Sequence, residues 1–160
     1  PPPDHAADVI VAGFGRVGQL LAGLLDSQRI PWVALDVDTA VVGVFHRAGR
    51  PVYFGDASRV ELLERMHLGE CLAVVLTMDQ PDAAIAAVRS IRGRFAALVV
   101  LARSRDEAHA LALRSAGATD VVPETLASGL QLGQRVLERI GVSALTASAA
   151  VAVERERREG

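Results

Sequence analysis

The run Gly13-Phe14-Gly15-Arg16-Val17-Gly18 carries three glycines at the spacing G-x-G-x-x-G. Chemically, that pattern holds a phosphate chain with backbone N–H groups. Gly13 permits a tight turn after a strand, Gly15 lets the main chain approach a pyrophosphate, and Gly18 lets the following helix pack closely on a sheet. The helix N-terminus adds free N–H groups and the positive end of its dipole. Asp36 closes the next apolar run, about 20 residues on, where an acid accepts hydrogen bonds from the ribose on the adenine side. Its charge repels a 2′-phosphate, so NADP is disfavoured. Asp38 is a second ribose ligand or the cap of the following helix; Asp36 is read as the ligand and Asp38 as the cap.

Three later positions belong with these. Gly55-Asp56-Ala57 leaves room for an adenine, with Asp56 accepting from its amino group or capping the next helix. Thr77-Met78-Asp79 follows the fourth strand, near the reversal of strand order where ligands lie. Arg103 follows the fifth and reaches a phosphate or pairs with Asp106. No catalytic group stands out. Tyr53 is the sole tyrosine and lysine is absent, so tyrosine–lysine dehydrogenase chemistry is excluded, and no histidine–carboxylate pair suggests a general base. The chain reads as a binder.

Composition narrows the class further. All 17 basic residues are arginine, which rules out a Walker-type phosphate loop and a Schiff-base mechanism. A net charge of -2 gives no reason to expect nucleic acid as a partner. Cys71, the one cysteine, sits beside an apolar run as an inert thiol, and the four histidines lack metal-ligand spacing. Nothing approaches the run of about 18 apolar residues of a membrane span. With 51% hydrophobic residues in 160, one domain with a full core is expected.

The elements that must position these residues alternate strand and helix. Strands are expected at Asp8–Ala12, Pro31–Leu35, Pro51–Phe54, Cys71–Leu76, Ala97–Leu101 and Asp120–Val122. Helices fall between them: Val17, Leu20, Leu21, Leu24 and Leu25 mark the first, Asp38–Ala48 the second, and Ser58 with Glu61 forms a capping box for the third. Asp82–Ile91 is the fourth, Ser104 opens the fifth, which Gly117 ends, and a last begins near Glu124 with Leu126, Leu130, Leu137 and Ile140 on one side. Six such units give an α/β fold: a Rossmann-like doubly wound sheet of six mainly parallel strands in the order 3-2-1-4-5-6, helices on both faces. A five-stranded flavodoxin-like sheet is the competitor. Residues 1–7 read as a linker remnant, 8–142 as the nucleotide-binding domain, and 143–160 as a helical or disordered charged tail, solvated and partly frayed.

Taken in order, Val9-Ile10-Val11-Ala12-Gly13-Phe14-Gly15-Arg16-Val17-Gly18-Gln19, Leu35-Asp36-Val37-Asp38, Val52 to Arg59, Leu101 to Asp106 and Val121-Val122-Pro123-Glu124 resemble the TrkA-N domain, the N-terminal lobe of the RCK domain, in its Kef-type potassium/proton antiporter branch. The resemblance implies a regulatory domain on the cytoplasmic face of the bacterial inner membrane, joined to a membrane-embedded antiporter, that binds NAD(H), AMP or another adenine nucleotide and gates potassium efflux. It implies Gly13, Phe14, Gly15, Arg16, Val17, Asp36, Asp56, Ala57 and Thr77 as nucleotide contacts, with Val37 and Arg103 beside them. It also implies a homodimer through the late helices, although the stripe Leu126, Leu130, Leu137, Ile140 equally suits burial within one subunit. Glutathione-gated members carry an arginine just before the Glu-Thr that opens the last helix. Pro123 stands there, which puts glutathione control in doubt. The alternatives are the cofactor-binding part of an NAD-dependent oxidoreductase and a dimerisation module with a vestigial site.

Overall fold

The computed structural model describes residues 6–123 and 128–159. Apolar runs of β-branched residues dictate its centre. β1 (Val9–Ala12), β2 (Trp32–Asp36), β3 (Val52–Phe54), β4 (Ala73–Leu76), β5 (Val99–Ser104) and β6 (Asp120–Pro123) form one sheet in the order β3-β2-β1-β4-β5-β6. Every pairing is parallel, and Ala12 lies in register with Leu35 on one side and Leu76 on the other. β1 and β4 are buried along their whole length, as strands covered on both faces must be.

The two faces follow from the two-residue period of the strands. Val9, Val11, Ala34, Val75 and Leu101 point to one side, where they meet α1 (Arg16–Ser27), α2 (Thr39–Arg47), α6 (Ser128–Arg139) and α7 (Ala144–Glu159). Ile10, Ala12, Val33, Leu35, Val74 and Leu76 point to the other, against α3 (Val60–Arg65), α4 (Pro81–Arg94) and α5 (Glu107–Ala116). Burying each valine, leucine or isoleucine among them contributes about 1.5–3 kcal/mol, so both layers hold the sheet strongly.

The helix starts expected at Ser58 and Ser104 are corrected. α3 begins at Val60 with Arg59 before it and has no side-chain cap, because the Ser58 hydroxyl turns back to Asp56 at 2.8 Å. Ser104 is the buried last residue of β5, and α5 is capped instead by Asp106, whose Oδ1 accepts from His109 N–H at 2.8 Å. Asp38 caps α2 through Ala40 N–H at 2.9 Å, as read. β5 runs two residues later at its start than expected and three later at its end. The late start goes with Arg92, whose guanidinium donates to the carbonyls of Phe95, Ala96 and Leu98, so that segment finds partners outside the ladder, and the late end with Arg103 and Ser104 pairing Val122 and Pro123 of β6. β4 likewise starts at Ala73 rather than Cys71, after a 3-10 turn at Leu68–Glu70.

Residues 144–159, within the charged tail, form α7, and it is packed. Ala147, Ala150 and Val151 are buried with α1 and α6, and Glu154 is 3% exposed with Arg157 paired to it at 3.0 Å. Of the last helix's expected stripe, Leu130 and Leu137 are buried and Ile140 packs against the same core. Leu126 lies outside the described residues.

Candidate functional site

The glycine loop joins β1 to α1 and forms the floor of a cleft of about 450 Å³ at the C-terminal edge of the sheet. β1 stands between β2 and β4 there, at the point where the chain reverses its strand order. Gly13 adopts φ +105°, and its N–H donates to Leu35 O at 2.8 Å. A Cβ on Gly13 would stand 2.6 Å from the Thr77 hydroxyl oxygen and 2.9 Å from Met78 N. A Cβ on Gly18 would stand 2.1 Å from the Gly13 carbonyl oxygen. Gly15 has nothing within 4 Å of where its Cβ would be, so its backbone is approachable from the cleft. α1 opens behind it with no side-chain cap, leaving first-turn N–H groups for a ligand.

Asp36 ends β2 at the rim. Its Oδ2 accepts from Phe14 N–H at 2.7 Å and its Oδ1 from Asp38 N–H at 2.8 Å. Two backbone donors thus fix the carboxylate in orientation while each oxygen keeps a lone pair for a ligand hydroxyl. Val37, next to it, is 61% exposed and lines the cleft. Asp56 lies across from it after β3, with its Oδ1 accepting from Ser58 N–H at 2.9 Å. That bond and the one from the Ser58 hydroxyl hold its carboxyl below the usual carboxylate range. Buried Ala57 forms the wall beside it, and a side chain on Gly55 would require Leu62 to shift, since Leu62 Cδ2 lies 2.2 Å from its Cβ position.

The cleft brings together Gly13, Gly15, Arg16, Val17, Asp36, Val37, Asp56, Ala57, Thr77 and Arg103 of the expected residues. Phe14 is the exception. Its ring is 2% exposed and turned into the core, stacked on Trp32 and met edge-on by Phe45, so only its backbone belongs to the site. Gln80 and Ala83 line the cleft as well and were not anticipated; the Gln80-Pro81 step, with proline in the first helical turn, was the signal that α4 begins at this edge. Among the described residues no group of three or more His, Cys, Asp or Glu side chains is placed to hold a metal. Burial raises the Cys71 thiol to about 12, which leaves it inert.

A doubly wound sheet with a glycine turn, an uncapped helix N-terminus and an acid at the end of β2 defines a Rossmann-type domain. Residues 9–124 match the TrkA-N domain, and the chain belongs to that family. It is 42% identical over 134 residues to K(+) efflux antiporter 1, chloroplastic, of Arabidopsis thaliana, covering 84% of this chain and 11% of that protein. It is 37% identical over 136 residues to the putative K(+) efflux antiporter KefB of Alkalimonas amylolytica, covering 85% of this chain and 21% of that protein. The chain therefore spans about a tenth to a fifth of the length of these curated relatives. Among solved structures it is similar to the Kef C-terminal domain of Shewanella denitrificans in its AMP-bound form, with 29% identity and a TM-score of 0.62 over 94% of this chain and 91% of that one.

Proposed function

We propose that this domain binds an adenine nucleotide, AMP or NAD(H), in the cleft above the glycine loop, and that occupancy regulates a potassium efflux antiporter of which the domain is the regulatory part. The observation that carries the reading is the Asp36 carboxylate, fixed by Phe14 N–H and Asp38 N–H at the rim of the cleft floored by the glycine loop. A charged acceptor suited to vicinal ribose hydroxyls stands beside backbone donors suited to phosphate, and Arg16 and Arg103 add positive charge along the same cleft. On this reading the site binds the nucleotide and does not turn it over, in keeping with the relatives' names as antiporters. The antiporter assignment is supported by the names of the relatives and by the AMP-bound Kef domain.

Regulation follows by population shift: a nucleotide with unequal affinity for two arrangements of the transporter displaces their equilibrium by that difference. Among the described residues no helix is long and apolar enough to cross a membrane. The membrane-embedded part then belongs to the longer protein, with this domain on its cytoplasmic face. A homodimer belongs to the same reading, and since Leu130 and Leu137 are buried within the subunit they are not its pairing surface.

The test is calorimetric titration of the chain with AMP, NAD, NADH and ATP, alongside Asp36→Ala. Saturable binding to one site, lost on substitution and without NADH consumption, is expected. A chain that takes up none of the four at millimolar concentration, or an Asp36→Ala chain that binds as well as the parent, refutes the assignment.

A further inference from the structure

The glycine loop is clamped from two strands, and only one of the clamps is visible in the glycine pattern. On the β2 side Asp36 accepts from Phe14 N–H at 2.7 Å. On the β4 side stands Thr77, the first residue after the strand and 5% exposed. Its N–H donates to Ala12 O at 2.8 Å. Its hydroxyl lies 2.6 Å from Gly13 O and 3.1 Å from Ala12 O.

A hydroxyl has one proton. With that proton directed at the loop, Thr77 presents only lone pairs to the cleft, and a phosphate oxygen, itself an acceptor, cannot use them. We infer that Thr77 is a positioning residue: its hydroxyl holds the Gly13 carbonyl in the left-handed turn that aims Phe14 N–H at Asp36, and it does not itself bind the phosphates.

The packing around that carbonyl leaves little freedom. Gly13 is at φ +105°, a Cβ on it would strike the Thr77 hydroxyl, and a Cβ on Gly18 would stand 2.1 Å from the same carbonyl oxygen. The Gly13 carbonyl is wedged between the end of β4 and the first turn of α1. The next N–H along the chain is the one that reaches Asp36. Thr77 and Asp36 never touch the same atom, yet each sets the peptide the other needs. A missing hydroxyl would let the Gly13 peptide rotate, and Asp36 would lose its inner donor.

The effect on ligand affinity rests on the nucleotide reading, whereas the effect on the loop does not, so both are measured. Parent, Thr77→Val and Thr77→Ser are titrated with AMP, and amide exchange at Phe14 is followed by NMR without ligand, with thermal unfolding alongside. Thr77→Val keeps the side-chain shape and removes the hydroxyl; it should weaken AMP binding and speed Phe14 exchange each by roughly tenfold, the scale of one lost hydrogen bond. Thr77→Ser should restore both to within about twofold. Should Thr77→Val not fold, Thr77→Ala carries the same comparison. Weaker AMP binding with Phe14 exchange unchanged would make Thr77 a ligand contact and overturn the inference, as would no change in either. A parent chain that takes up no AMP, with Phe14 exchange still hastened in Thr77→Val, would refute the nucleotide reading and uphold the positioning role.

Discussion

The indole of Trp32 lies on the ring of Phe14, with centroids 5.3 Å apart and planes 21° from parallel. Trp32 is the chain's single tryptophan and is pinned at its far side by a hydrogen bond from its indole N–H to Asp26 at 2.9 Å. The molecule therefore carries one optical probe in contact with its glycine loop. AMP should alter Trp32 emission with the same saturation curve that calorimetry gives. Phe14→Leu, which keeps apolar volume and removes the stacked ring, should shrink that change and cost about 1 kcal/mol of stability. An AMP-binding chain with silent Trp32 emission would mean that the loop does not move.

Asp36→Asn separates charge from shape. The amide keeps one carbonyl oxygen for two backbone donors, so either Phe14 N–H or Asp38 N–H loses its acceptor. A fall of at least about tenfold in AMP affinity and a loss of about 1–3 kcal/mol of stability are expected. Calorimetry and urea unfolding check the two separately.

Acid should be felt through Asp56. The Ser58 donors lower its folded pKa below the ordinary value of 3.8. A carboxyl lowered in this way adds stability that is complete above the unfolded value and disappears as pH falls through the lower folded one. Parent chain should thus lose stability more steeply below about pH 4 than Asp56→Asn, with the difference absent from the slope near pH 7. Urea midpoints across that range show it.

Arg92 predicts a purely structural loss. Its Nε donates to Gly117 O at 3.0 Å and its Nη1 to Leu98 O at 2.7 Å, so one side chain ties the ends of α4 and α5 to the entry of β5. Arg92→Ala should cost about 2–4 kcal/mol, since bonds to a charged donor are the stronger kind. Arg92→Lys should recover little, because an ammonium has no planar fork to reach both carbonyls. Thermal unfolding measures both, and AMP affinity at a temperature where each variant is folded should stay within about twofold.

The fold was legible because its signals are local and repeated: apolar runs, helical spacing and a glycine turn, each at the right distance from the next. The parts that escaped depend on partners far along the chain. Phe14 sits inside a ligand-binding motif, yet its ring answers to Trp32 and Phe45, which no spacing rule connects to it. Thr77 lines the cleft as expected, but the direction of its hydroxyl could not be read ahead, because it depends on the carbonyl of Gly13, 64 residues earlier. Ser58 and Ser104 stood at plausible helix starts, but the Ser58 hydroxyl donates to Asp56 and Asp106 caps α5 instead. The alanines of α7 carry little hydropathy of their own, and their value lies in letting α7 come close to α1 and α6.

Gly133 gives the helix layer its tolerance. Leu24 of α1 fits against it so closely that a Cβ there would stand 2.2 Å from Leu24 Cδ1. α1 is a rod of 12 residues, about 18 Å long, with its first turn at the cleft and Leu24 near its other end. A contact this close couples the two helices. On the proposed reading, a nucleotide that tilts the rod at the cleft would pass that tilt through Leu24 and Gly133 to α6 and to α7 leaning on it, so the side of the molecule remote from the cleft is where the signal would be read.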